Sequence, residues 1–251
     1  MTNRGGILGV LAAAVLAVVP GVAGFSSEAL AQAQRIGAAS SIQNSVSRIS
    51  GGATNPLAVG GSVFRNETVA TGASSSARLT FLDETNLSIG PTSRVLLNHF
   101  VYSENASAQA MAVNLARGAF RFSSGALDVK AYKINTPTAT IGVRGTILDM
   151  FISASRTVMT MVEGQATGCT ASGRQCTTVR EGETLIIDAS GVHRSGAGGT
   201  RFSFQGLCDA SAGLCGNTQL ARHGGIKVLS DGTVYPIGMT PEQLEGALCG
   251  R

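Results

Sequence analysis

Few residues in this chain are of a type and spacing that could do chemistry. The histidines are three, His99, His193 and His223, and none sits in a Gly-x-Ser-x-Gly or His-Glu-x-x-His setting, so neither a nucleophilic triad nor a zinc-hydrolase helix is read from them. Asp83 and Glu84 are adjacent carboxylates. Neighbours on a strand point to opposite faces, so the pair suits a turn better than general acid–base work. Gly142 and Gly145 lack the Lys-Ser/Thr and the helix start of a phosphate loop. No catalytic residue, cofactor site or metal site is expected. What remains is Arg144, set between those glycines, with five donors and a charge that is almost never lost.

Arg144 lies in the stretch Asn135-Thr136-Pro137-Thr138-Ala139-Thr140-Ile141-Gly142-Val143-Arg144-Gly145-Thr146-Ile147-Leu148-Asp149. Pro137 holds φ near −65° and pushes Thr136 into an extended conformation, so the chain enters as a strand. Ile141 and Val143 share one face, Arg144 takes the other, and Gly142 and Gly145 permit a bend, a bulge or close approach of another backbone. Thr136, Pro137, Ile141, Gly142, Arg144 and Gly145 thus form a candidate β-corner, read as mainly structural. Two roles compete for the arginine. It is either an exposed anchor for a carboxylate, or an enclosed group binding carbonyls or a carboxylate such as Asp149 or Glu163. The apolar flanks Ile141, Val143 and Ile147 favour enclosure.

The elements that must position this corner are short strands. Hydrophobic residues make up 43% of the 251 residues and charged ones 14%, with no Trp and 33 Gly, which excludes a helical bundle and implies an all-β fold of glycine-punctuated strands. Alternation runs through Leu79/Phe81, Leu87/Ile89, Met111/Val113/Leu115 and Leu148/Met150/Ile152. It changes parity after Gly118, where Phe120 and Phe122 take over, as a turn or bulge would produce. Leu115-Ala116-Arg117-Gly118, Met161-Val162-Glu163-Gly164 and Val179-Arg180-Glu181-Gly182 form a weak repeat, each glycine expected at φ > 0. The expected unit is a twisted, solenoid-like or sandwich-like β-domain.

Ahead of it, Arg4, the apolar run Ile7 to Val19, the break Pro20-Gly21 and small residues ending at Ala31 or Ala33 read as a cleavable signal peptide over residues 1–31. That run is shorter than the ~20 apolar residues that span a bilayer, and no cysteine stands near the cleavage site to carry a lipid. The mature protein is therefore expected outside the cytoplasm without a transmembrane span. Residues 32–57, rich in Ser, Gly and Ala, read as a flexible arm or one marginal helix. Residues 58–200 hold the β-domain and 201–251 a C-terminal extension. In the extension, Ile226 to Ile237 reads as a hairpin around Asp231-Gly232, and Thr240-Pro241 starts a helix to Leu248, a small ββα appendage.

Export decides how the five cysteines are read, since an oxidising compartment favours disulfides. Cys169 and Cys176 enclose six residues, as do Cys208 and Cys215, so two local staples are expected. A zinc site would need four ligands at tighter spacing. Cys249 is left over. The net charge of +4 survives loss of Arg4 and Glu28 with the signal, and no run of arginines tracks a phosphate backbone, so nucleic-acid binding is not expected.

Thr-Pro-Thr-Ala-Thr-Ile-Gly-Val-Arg-Gly-Thr, from Thr136 to Thr146, resembles the signature of the FecR-type domain, a periplasmic β-domain best known from transmembrane regulators of iron uptake in Gram-negative bacteria. Further stretches match in the family's order: Val63 to Thr71-Gly72, Leu79 to Thr85, Leu87 to Pro91, and Leu115 to Phe122. Together they span roughly residues 58 to 190. The resemblance implies a twisted all-β unit in the periplasm or secreted, and a binding or sensing module that docks another envelope protein or ligand without catalysis. The alternative is a structural or scaffold protein of the envelope or cell surface. Those regulators carry a cytoplasmic anti-sigma segment before a membrane helix, where this chain has its expected signal. Oligomeric state and partner identity are left open by the residues.

Overall fold

A computed structural model describes residues 34–102, 108–125, 132–196, 199–210, 226–228 and 234–236. In chain order the strands are β1 (Arg35–Gln43), β2 (Val46–Ser50), β3 (Ala53–Pro56), β4 (Ser62–Phe64), β5 (Glu67–Thr71), β6 (Ser76–Phe81), β7 (Asn86–Ile89), β8 (Arg94–Tyr102) and β9 (Ala108–Ser123). There follow β10 (Tyr132–Asn135), β11 (Ala139–Ile152), β12 (Arg156–Thr170), β13 (Cys176–Arg180), β14 (Thr184–Asp188), β15 (Gly191–Arg194), the helix α1 (Phe204–Ala210), β16 (Ile226–Val228) and β17 (Val234–Pro236). Strands β1 to β15 belong to one open sheet whose main path runs β15-β14-β12-β11-β10-β9-β7-β6-β1-β4. Its inner face closes on a single core in which Leu79, Leu87, Phe120, Phe122, Ile134, Ile141, Leu148, Met150, Met159 and Leu185 are buried together.

The fold is all-β, as the composition requires, but its central strands are longer than expected, with 16 residues in β9, 14 in β11 and 15 in β12. The glycines bend these strands rather than end them. Core residues on β11 are Ala139, Ile141 and Val143 before Gly145, then Leu148, Met150 and Ile152 after it; on β12 they are Met159 and Met161 before Gly164 and Ala166 after it. Each parity change falls where the β11–β12 pairing slips, between Arg144 and Leu148. Gly145 has φ 56° and Gly164 φ 81°, and a Cβ on Gly164 would stand 2.3 Å from the Gly145 carbonyl oxygen. The two bulges meet back to back, and the hairpin turns a corner there. Gly118 and Gly182 likewise have positive φ, at 113° and 79°.

The corner gives the hairpin two sets of neighbours. Its first half pairs with β10 and β13, and its second half with β9 and β14.

Residues 35–56, expected as part of a flexible arm, instead form β1 to β3 within the sheet. The small side chains that suggested a linker serve close packing. A Cβ on Gly37 would come within 2.5 Å of the Thr80 carbonyl oxygen, and Ile36 and Ala39 are buried. The β-structure thus begins ahead of residue 58. The second departure is α1, whose Phe204 and Leu207 bury with Phe202, Val158 and Ala119 on the outer face of the sheet. β16 and β17 pair antiparallel, as the C-terminal hairpin reading expects. The signal at 1–31 and the helix expected from Thr240 lie outside the described residues, as do Cys215 and Cys249. Cys169 and Cys176 are disulfide-bonded across the β12–β13 turn, and Cys208 is also disulfide-bonded. No helix among the described residues is long and apolar enough to cross a membrane.

Candidate functional site

The signature stretch divides into a satisfied half and an open half. Thr136 Oγ1 lies 2.7 Å from Thr157 Oγ1 and accepts from the Ala139 N–H at 2.8 Å. Thr138 Oγ1 lies 2.8 Å from Thr157 Oγ1 and donates to the Ile187 carbonyl at 3.0 Å. Pro137 holds these two threonines either side of it, so their hydroxyls clasp β11 onto β12 and β14 around the fully buried Thr157. Ile141 is buried in the core. From Gly142 to Gly145 the outer face is left exposed.

Arg144 is exposed and makes no hydrogen bond or ion pair among the described residues. The enclosure expected from its apolar flanks does not occur. Alternation puts Ile141 and Val143 into the core and Arg144 outward, and no strand or helix among the described residues covers that side. Asp149, one expected partner, is taken instead by Arg121, whose Nε and Nη2 donate to its two carboxylate oxygens at 2.6 and 2.9 Å. Glu163, the other, is exposed.

The register places Arg144 opposite Gln165, and Gln165 opposite Arg180, in one row across β11, β12 and β13. With strands ~4.8 Å apart, the two arginines stand roughly 10 Å from each other across the glutamine. The adjacent row is Lys133, Gly142, Thr167 and Thr178. A Cβ at Gly142 would meet nothing within 4 Å. Two depressions flank Arg144. One, of about 590 Å³ and open, is lined by Arg144, Gly145, Gly164, Gln165, Arg180 and Glu181; the other, of about 190 Å³, by Tyr132, Gly142, Arg144, Gln165 and Thr167 among others. Such a row can grip one carboxylate between two guanidinium groups, or run along an extended acidic segment.

The support beneath is firm. Tyr132 donates to Asp83 Oδ2 at 2.7 Å, and Thr85 Oγ1 donates to the same oxygen at 2.8 Å. Burial, with the Asp83 carboxylate beside it, pushes the Tyr132 phenol up to about 12. Asp83 also accepts from the Thr85 N–H at 3.1 Å, and Glu84 has φ 65°, so the adjacent carboxylates do form a turn.

Sequence reading missed a second cluster. Asp188, Ser190 and His193 meet at the β14–β15 turn, where Ser190 Oγ lies 2.5 Å from Asp188 Oδ1 and 2.9 Å from His193 Nε2. It is not a triad. The carboxylate reaches the imidazole only through Nε2, at 3.9 Å, so it does not orient the ring through Nδ1, and the serine gives its proton to Asp188. Burial works against the Asp188 charge, but the Ser190 hydroxyl and N–H, Arg156 and His193 outweigh it and hold the carboxyl below its usual range. Among the described residues, no group of three His, Cys, Asp or Glu could hold a metal ion.

Comparison with known proteins agrees with the motif reading. Residues 67–167 match the family described as FecR protein, and the stretch from Thr136 to Thr146 lies inside that span. Two crystal structures of a provisionally assigned anti-sigma factor from Parabacteroides distasonis are similar at 12% identity, with TM-scores of 0.43 and 0.42. Each similarity covers 51% of this chain and 58% of the other. No curated protein matches the chain.

Proposed function

We propose that this FecR-type domain is an exported, non-catalytic docking module whose bare β10–β13 face receives an acidic segment of another envelope protein. Arg144 is the anchor. The observation that carries the reading is an exposed arginine, without a partner among the described residues, in a row with Gln165 and Arg180 and beside a glycine that leaves its neighbourhood open. Lys133, Arg144 and Arg180 stand against Glu181 in the depression and Glu183 beside Arg180, so the balance of charge favours a carboxylate-bearing partner. The bent hairpin fixes the backbone of the row, so the ordering cost on binding falls on the side chains alone. The disulfide between Cys169 and Cys176 is consistent with an oxidising compartment, and with the signal-like N-terminus it favours a periplasmic or secreted location in a Gram-negative bacterium.

A scaffold role would need self-association, and the open sheet offers edges for it. Those edges are short: β3 has 4 residues and ends on Pro56, β4 has 3, β13 has 5 and β15 has 4. Short edges and a terminal proline discourage strand addition, which favours docking through the face.

Photo-crosslinking from position Thr140 in the native envelope tests the proposal. The expected result is capture of one protein through an acidic segment, abolished by Arg144→Glu without change in melting temperature. Capture that persists in Arg144→Glu, or capture of a second copy of this chain, overturns it.

A further inference from the structure

On the other side of the corner, the outer face carries one continuous polar row. The registers align Ser41, Arg78, Ser88, Arg121, Asp149, Thr160 and Thr184 across β1, β6, β7, β9, β11, β12 and β14. The chain itself completes one end of this row. Asp149 takes both Arg121 and the Phe204 N–H, the latter at 2.9 Å, while Thr160 Oγ1 lies 3.0 Å from Thr184 Oγ1 and accepts from the Phe202 N–H at 3.3 Å. The segment from Phe202 through α1 thus seats on polar groups that are all paired.

The other end is not completed. Between α1 and the Ser41–Arg78–Ser88 end lies a half-enclosed cavity of about 260 Å³, whose lining includes Ser40, Arg78, Ser88, Arg121 and, from α1, Phe204 and Gln205. No carboxylate among the described residues lines it. The Arg78 side chain has one hydrogen bond, from Nε to Ser88 Oγ at 3.4 Å, so its two terminal nitrogens have no acceptor among the described residues. Arg121 spends Nε and Nη2 on Asp149 and keeps Nη1. Two guanidinium charges against one carboxylate leave the row a net positive charge, with hydroxyls and an amide around it.

We infer that this cavity binds a small oxyanion, a phosphate, sulfate or carboxylate group, between Arg78, Arg121 and Ser88 beneath Gln205. The chemistry is that of the completed end, where a carboxylate sits on Arg121; the other end offers a second acceptor the terminal nitrogens of Arg78 and the remaining Nη1 of Arg121. At about 30 Å³ per water, the volume holds an oxyanion together with several waters or a small polar body. Because Phe204 and Gln205 belong to α1, the ligand would contact both sheet and helix and bind more tightly when α1 is seated.

The site is separate from the Arg144 face, and the test keeps them apart. Amide and arginine Nε–H chemical shifts of the full chain are followed on titration with inorganic phosphate, and separately with acetate, at constant ionic strength. Saturable shifts at Ser88, Arg121 and Gln205 support the site, and the anion that saturates at lower concentration identifies the group. Arg78→Gln should weaken that binding at least tenfold with an unchanged melting temperature, as expected for losing a charge-assisted contact, while Arg144→Gln should leave it intact. Shifts that fail to saturate, or that saturate equally in Arg78→Gln, overturn the inference.

Discussion

Two arginines on the outer face of the bent sheet have opposite surroundings. Past the corner, Arg121 sits beside Asp149, and the chain's own residues 202–208 come back to cover them; before the corner, Arg144 and its row are left bare. Both faces lie over the same core and on the same hairpin. The difference is what the chain supplies to each. A charged row that the fold uses for itself acquires a carboxylate and a lid, whereas Arg144 has neither. That contrast is why the bare row is assigned to docking and the Arg121–Asp149 end of the covered row to stability.

Removing the covered carboxylate should have the largest effect. Asp149 is 1% exposed, and Asp149→Ala would strand the Arg121 charge and the Phe204 N–H beneath the helix, at about 3–5 kcal/mol for a broken buried pair. Denaturant unfolding measures it. A loss under about 1 kcal/mol would erase the distinction between the faces. Asp149→Asn should fall between, since an amide oxygen still accepts but carries no charge.

Tyr132 tests whether the bare face rests on firm support. Its folded-state pKa of about 12 lies above the ordinary value near 10, so the phenol contributes stability that is complete below pH 10 and is lost as pH rises toward 12. The loss should reach about 2–3 kcal/mol, and Tyr132→Phe should flatten it. Melting temperature recorded from pH 9 to 12 decides the matter; identical alkaline profiles for the two proteins would sink the prediction.

The corner itself comes next. Gly164→Ala places a methyl against the Gly145 carbonyl at positive φ, with an expected cost of about 1–3 kcal/mol. Gly142→Ala meets open space and should be nearly neutral in stability while narrowing the depression beside Arg144. If both melt alike, the corner is not where the strands are constrained.

The corner glycines were readable because a parity change beside a glycine has one simple cause, and Gly118 and Gly164 bear the positive φ it requires. Other features depend on contacts far apart in sequence. Arg121 and Asp149 are 28 residues apart, and only the β9–β11 register makes them neighbours. β1 was hidden by its composition, since Gly37, Ala38 and Ala39 look like linker until two strands are placed against them. α1 has 7 residues, too few for a helical apolar period to stand out, and its anchoring comes from the sheet rather than from its own sequence. Arg144 shows the limit most plainly. The alternation was right about its face, but whether a face is covered is a property of the rest of the chain.

That leaves the smallest expected stability change as the most discriminating one. Arg144 is exposed and has no partner among the described residues, so Arg144→Ala should leave no buried group unsatisfied, and its effect on stability should stay within about 0.5 kcal/mol. Affinity for an acidic partner should fall far more, because guanidinium–carboxylate pairing across the row is what the proposed interface rests on, and Arg144→Lys should restore only part of it, since an ammonium lacks the planar fork. The dependence on salt should weaken together with the affinity, as one charge of the face is gone. Thermal melts alongside binding to an acidic peptide recovered by crosslinking give both readouts. A large drop in melting temperature with binding per folded molecule unchanged would return Arg144 to the fold and leave the bare face without its anchor.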